Sequence, residues 1–332
     1  MSRDHSSSLC VEPTPFVGVR SSPMLFMRLL PGLTCLVYPV LVWSISGLSP
    51  FTLPLTLLPL IASIASIFRI SPLKSYPRAI GVAHLGVAAP ALYNVMGASL
   101  DFQTTYRFHG NSVWVVLWGA LVILVALERP SHWTGQAASH SVLKSSHGIS
   151  AAIITLFALF HIVNHLAGLA GGNAHLALMK AFRTVYRTPV VEGLLGIAVL
   201  FQVASGTVLL RRRLMTSDRF EMLQGAAGAY LLMFFVSHLR AVLHTRYIHH
   251  MDTNWIWLTS TNLLTDEWSA RLVPYYFLGI VALGLHGACG LRSVLLQHGK
   301  DSVANTAFWV FAVTSVVVAL SVMTGLIIGS LH

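Results

Sequence analysis

Nine apolar stretches, each near the length that crosses a bilayer, recur along the chain: 24–46, 51–70, 80–100, 112–128, 149–170, 190–211, 221–244, 273–297 and 304–330. A spanning helix needs about 20 mostly apolar residues, because every backbone polar group in hydrocarbon must be satisfied within the segment. Composition agrees with that patterning. Of 332 residues, 55% are hydrophobic and only 10% charged, with a mean hydropathy of +0.70, whereas a soluble domain carries about 25% charged residues. The expectation is an all-α polytopic membrane protein of about nine transmembrane helices, with the lipid bilayer as its first partner.

The formal charge of +10 raises nucleic acid as a partner, but the basic residues are spread among short loops and build no binding face. Their placement reads as topology. With the N-terminus inside, the inner segments hold roughly twice the Lys and Arg of the outer ones, Arg211, Arg212, Arg213 and Arg219 among them. That puts the C-terminus outside. Cys10, Cys35 and Cys289 are far apart and form no CxxC, so they supply neither a disulfide framework nor a thiolate metal site and read as packing residues.

Residues 1–22, MSRDHSSSLCVEPTPFVGVRSS, read as a flexible tail, with VEPTPF as a short proline-bearing peptide. Asp4 and Glu12 set the tail apart from a transit peptide, so the first apolar run is expected to act as an uncleaved anchor. The polar stretch 129–147, RPSHWTGQAASHSVLKSSH, reads as a connector between a four-helix module (23–147) and a five-helix unit (148–332). Residues 171–189 and 245–272 read as longer outer loops, the second carrying HHMDTNWIW, whose Trp255 and Trp257 suit an interface. Pro189 and Glu192 open the sixth span, the carboxylate complementing the helix dipole.

Within the fifth stretch, FALFHIVNHLAG (157–168) carries His161 and His165 one helical turn apart on one face. Titratable groups inside a membrane are costly and usually face a partner, a cavity or a cofactor. Counted from the inner edges of the apolar stretches, His161 and His286 share a depth of roughly 17 Å, and His165 and His238 form a second matched pair. Two imidazoles on different helices at one depth could hold a haem iron from opposite sides. Gly284, Gly287, Ala288 and Gly290 around His286, with Ala167, Gly168 and Gly171 after His165, would let helices part around the ring. The alternative stays open: small residues permit close packing, and each histidine bonds a neighbouring carbonyl or hydroxyl. His84 reads as a packed core histidine.

Five segments, FHIVNH (160–165), FRTVYRTPVVEG (182–193), QVASG (202–206), VSHLRAV (236–242) and YYFLGIVALGLHGACGLR (275–292), resemble the membrane anchors of succinate dehydrogenase and fumarate reductase, the haem b-binding, quinone-reactive cytochrome b subunits. The likeness covers 148–330 and is closer to uncharacterised bacterial members and to a fungal mitochondrial outer-membrane family linked to lipid homeostasis. It implies a cytochrome b-like five-helix bundle. It also implies one haem b on His161 and His286, with His165 and His238 lining the site or serving as an alternative pair. The implied role is transmembrane electron transfer or redox sensing, with quinone, as a subunit or partner of a respiratory-type complex. Ser150 and the inner-edge residues around it would meet a quinone headgroup. Three departures bear on this. Gln202 stands where relatives often have histidine, the last span has no histidine, and His147-Gly148-Ile149-Ser150 lacks the arginine of the family's His-Arg-x-Ser pattern. No flavin or iron–sulfur motif occurs, so electrons would come from a soluble or membrane redox partner. The resemblance favours a bacterial inner membrane over a mitochondrial one.

Two rivals belong to other classes. HIVNH (161–165) and HTRYIHH (244–250) look like histidine boxes of membrane di-iron desaturases, which need many imidazoles converging at one membrane face. A non-redox scaffold serving lipid homeostasis could use the same bundle, since fold does not fix function. A transporter is disfavoured, because the chain shows no internal repeat and few intramembrane carboxylates.

Overall fold

The structure, a computed structural model, describes residues 22–103, 109–131 and 141–331. The tail with its VEPTPF peptide and the middle of the connector lie outside those residues. Everything regular in the described residues is helical, without a strand. The helices are α1 (Ser22–Leu36), α2 (Tyr38–Gly47), α3 (Leu58–Phe68), α4 (Ile70–Leu73), α5 (Pro77–Val87), α6 (Ala89–Gln103), α7 (His109–Ala126), α8 (Ser141–Leu166), α9 (Gly172–Tyr186), α10 (Pro189–Arg213), α11 (Arg219–Tyr247), α12 (Trp255–Thr259), α13 (Leu272–Gln297) and α14 (Asp301–Gly329). Two 3-10 segments, Pro50–Leu57 and Ala167–Ala170, lead into α3 and extend α8.

Six helical stretches among the described residues are long and apolar enough to cross a membrane, and up to eight if each of two bent pairs is one span. Proline explains both bends. Pro39 in the first turn of α2 and Pro90 in the first turn of α6 have no N–H to continue the preceding ladder. The chain turns by 43° between α1 and α2 and by 73° between α5 and α6. Gly110–Ala126 is apolar but shorter. Long faces of Leu, Ile and Val point outward, including Leu156, Leu159, Leu194, Ile197 and Leu200 on α8 and α10 and Val310, Val313 and Val317 on α14. A surface that apolar has lipid as its fitting solvent.

The two halves share one core. Ile80, Ala83, Val87 and Ala91 pack with Met222, Ala226 and Tyr230 of α11 and with Leu278 and Ala282 of α13. A buried polar network reinforces that seam. Asn94 donates to Ser237 Oγ at 2.7 Å, and Arg271 Nε donates to Asn94 Oδ1 at 2.9 Å. A second core lies within the N-terminal module, where Tyr38, Tyr93, Trp114 and Trp118 interlock edge to face. Cys35 and Cys289 are buried free thiols. Against α14, α13 packs so closely that a Cβ on Gly284 would lie 2.2 Å from Ser315 Cβ, which holds position 284 to glycine.

The stretch 171–189 is not a loop. It folds as α9, whose inner face carries His175 and Met179, buried, with Phe182 and Tyr186 following. Phe182 meets Phe160 at 5.4 Å and Tyr186 meets Phe157 at 5.4 Å, so α9 lies antiparallel against the C-terminal half of α8. The loop after α11 returns to the same place. Trp255 seats its indole where Cβ atoms on Gly168, Gly172 and Gly329 would stand 2.4, 2.6 and 2.4 Å from it.

Candidate functional site

Helix α8 begins eight residues before the apolar run that reveals it. The polar SVLKSSHG (141–148) is its first two turns, and this brings His147 into the bundle. Near the N-terminal end of α8, His147 faces His286 of α13, with ring centroids 6.4 Å apart and planes at 74°. His286 Nδ1 donates to the Gln224 carbonyl of α11 at 3.0 Å. A carbonyl can only accept, so the proton sits on Nδ1 and the lone pair on Nε2. His147 is fixed in the same tautomer. The Ser205 hydroxyl spends its proton on the Phe201 carbonyl at 2.6 Å, which leaves its oxygen to accept from His147 Nδ1 at 2.8 Å. Among the described residues neither Nε2 has a hydrogen-bond partner. Two acceptor nitrogens thus stand on α8 and α13 without a donor among the described residues.

The helices around this pair hold it closely. Gln202 donates to the His147 carbonyl at 2.7 Å, and Arg213 donates to the Gln224 side-chain oxygen. A Cβ on Gly228 would come within 3.2 Å of His286 Cε1, and one on Gly206 within 3.5 Å of His147 Cε1. On the other side of the ring, Gly287 opens onto space. An imidazole that donates its far N–H to a carbonyl or hydroxyl and leaves the other nitrogen bare is the usual arrangement of a histidine metal ligand.

A second group of histidines lies toward the C-terminal end of α8. His161 and His238 stand 6.0 Å apart between ring centroids, each against a phenylalanine of its own helix: Phe157 at 5.7 Å and Phe234 at 5.4 Å. His165 Nε2 lies 3.3 Å from His161 Nε2, and His175 of α9 follows at 5.3 Å between centroids. Asn164 donates to His175 Nε2 at 3.1 Å. Burial, then the nearby His161 and Arg183, hold the His175 pKa down to about 4.

The two levels correct the depth count made from sequence. His161 and His286 do not meet. His286 sits beside His147, which is 14 residues, or roughly 21 Å of helix rise, from His161. The count failed because α8 starts at Ser141 and not at 149, which moves every depth on it by about 12 Å. His161, His165 and His238 do come together as a set. Ser150 is buried and donates to the Ala198 carbonyl at 3.3 Å, a packing bond between α8 and α10. His147 and His175 carry the contacts that sequence reasoning missed. For His147 the signal was its spacing from His161, close to four helical turns. For His175 it was the series His175, Met179, Phe182, Tyr186, one face of a helix.

Comparison with protein-family models, with curated proteins and with solved structures finds no match. Any functional reading therefore rests on the side chains themselves. Among the described residues, no group of three or more His, Cys, Asp or Glu side chains is arranged to hold a metal ion. His244 and His249 meet at 4.7 Å between ring centroids, and Asp252 pairs with Arg183 at 2.8 Å. His84 is buried and donates from Nδ1 to the Ile80 carbonyl at 2.9 Å. Glu192 pairs with Arg246 at 2.5 Å.

Proposed function

We propose that this is an integral membrane protein of the b-type cytochrome kind, holding haem b between α8 and α13 on His286 and His147. In this reading all nine apolar segments span the membrane, α8, α10, α11, α13 and α14 form the five-helix bundle, and the N-terminus lies inside. The reading is carried by one observation. Two imidazoles on opposing helices have their Nδ1 protons committed, to Gln224 and Ser205, and their Nε2 lone pairs unused. Bound haem would supply an iron that takes up and releases one electron, giving transmembrane electron transfer or redox sensing with quinone and a respiratory-type partner.

The protein's own residues supply orientation. The Gln224 carbonyl and the Ser205 hydroxyl fix both tautomers, and Gly228 and Gly206 give the rings room. Ser150 is committed to Ala198, which leaves quinone contact to other inner-edge groups.

The test is the haem content of protein purified from cells supplied with haem precursor. His286→Ala and His147→Ala should each release this haem, while Ser205→Ala should retain it with altered ligand-field spectra. Protein that folds, stays monodisperse and carries no haem would overturn the reading and turn attention to the scaffold alternative. Iron held without porphyrin would favour the di-iron class.

A further inference from the structure

We infer that the end of α9 and the start of α10 form a binding site for a phosphate group, with Arg187 as its principal donor. Phosphate is the chemistry shared by a phospholipid headgroup and the free inorganic ion. The site uses none of the side chains that hold haem in the reading above and stands or falls by itself.

The first observation is a charge imbalance. Arg183 and Arg187 stand one helical turn apart at the end of α9, and Arg246 of α11 lies close enough to repel Arg187. These three guanidiniums pair with two carboxylates among the described residues. Asp252 gives both oxygens to Arg183, at 2.8 and 3.0 Å, and Glu192 gives both to Arg246, at 2.5 and 3.4 Å. Arg187 is left with longer contacts, 3.7 Å to Asp252 and 3.4 Å to the Thr253 hydroxyl. Its Nε is buried without a partner, as is that of Arg183. Burial, then the Arg183 and Arg246 charges, hold the Arg187 pKa below its ordinary value. A partly buried cation without its own counter-charge is costly until an anion meets it.

The second observation is the uncapped start of α10, which begins at Pro189 just after Arg187. Thr188 holds the capping position, yet its hydroxyl donates to the Val185 carbonyl at 2.9 Å and does not cap the helix. The first-turn N–H groups of Val190 and Val191 therefore have no partner among the described residues. Backbone donors at a helix start favour anions. Two kinds of donor, a guanidinium edge and a pair of amides, suit a tetrahedral oxyanion with several oxygens. A planar carboxylate would occupy a single fork. Val185, Val190 and Ile248, all within two residues of these donors, are exposed and apolar, a fringe that suits the acyl chains of a phospholipid.

The experiment titrates the full-length protein in neutral detergent micelles with dihexanoyl phosphatidic acid and, separately, with inorganic phosphate, reading phosphorus NMR linewidths. Dihexanoylglycerol and hexanoate, which carry the chain or a carboxylate without phosphate, serve as competitors and should not displace either probe. Arg187→Gln should weaken binding about tenfold to a hundredfold, the loss of charge-assisted hydrogen bonds. Arg187→Lys keeps the charge and loses the planar fork, so it should weaken binding several-fold. That conservative variant separates lost recognition from misfolding, with monodispersity checked on each protein. Lys300→Gln, an equal loss of charge at the exposed turn between α13 and α14, should bind as wild type. Binding of the lipid alone assigns the site to a headgroup, and binding of inorganic phosphate alone assigns it to the free ion. Binding of neither probe overturns the inference. Equal losses in Arg187→Gln and Lys300→Gln, no loss in Arg187→Gln, or displacement by hexanoate or dihexanoylglycerol would overturn it too.

Discussion

Glu128 offers a sharp test of how the N-terminal module is held together. Its carboxylate accepts from the backbone N–H groups of Arg78 at 2.6 Å and Ala79 at 3.0 Å, closing the first turn of α5. It also lies 3.9 Å from Arg28, with both side chains under 5% exposed. Arg28 donates in addition to the carbonyls of Val125 and Glu128 and lies over the Tyr76 ring at 3.8 Å. Glu128→Ala removes two charge-assisted hydrogen bonds and leaves a guanidinium buried without its counter-charge. Breaking such a pair from one side costs about 3–5 kcal/mol. Glu128→Gln keeps an acceptor for the α5 amides and should cost about 1–3 kcal/mol. In the Arg28→Met, Glu128→Ala double variant the stranded charge is gone, so much of the loss should return. Unfolding free energies in mixed micelles of wild type, Glu128→Ala, Arg28→Met and their double variant form a double-mutant cycle and give the coupling directly. A coupling near zero, with Glu128→Ala within about 0.5 kcal/mol of wild type, the range of ordinary surface changes, would refute the reasoning.

Two further outcomes follow from the end of the bundle where α9 and Trp255 pack. Trp255→Ala empties the socket formed by Gly168, Gly172 and Gly329 and should cost about 3–5 kcal/mol, read as unfolding free energy in the same micelles. His175 is held down to about 4, below its ordinary 6.5. The unfolded chain therefore binds the proton first, and stability present above pH 6.5 is lost as pH falls toward 4. The full loss is about 3 kcal/mol, of which about 2 kcal/mol should be gone by pH 5. Thermal midpoints at pH 7.5 and 5 should differ in wild type and differ by less in His175→Gln, and an unchanged difference in that variant would contradict the assignment.

Much of the helical layout was legible because hydrocarbon imposes a length on apolar runs, and the positions of α8, α10, α11, α13 and α14 follow from that alone. The two bends were not read from the sequence, where 24–46 and 80–100 stood as single spans, although each falls at a proline, Pro39 and Pro90, that cannot donate to the preceding turn. Helix ends were less legible. Polar residues at a membrane edge carry no hydropathy signal, so SVLKSSHG read as connector while continuing α8 inward. That error displaced every depth on the helix and paired His286 with His161 in place of His147. Helix α9 was hidden for a different reason. Its period of buried residues was present, but its low overall hydrophobicity resembled a loop. His161, His165 and His238 lie together because two of them share a helix face and the third faces them from α11, a set that cuts across the two pairs expected from depth. What no sequence pattern could give was the tautomer of each imidazole, which depends on a carbonyl in one helix and a hydroxyl in another.

The most direct measurement of the central claim is a reduced-minus-oxidised absorbance spectrum of the purified wild-type protein. A Soret shift with a resolved α-band, diminished in His286→Ala and in His147→Ala, is the result expected of imidazoles facing each other across haem. A flat difference spectrum from protein that is folded and was produced with abundant haem would contradict it.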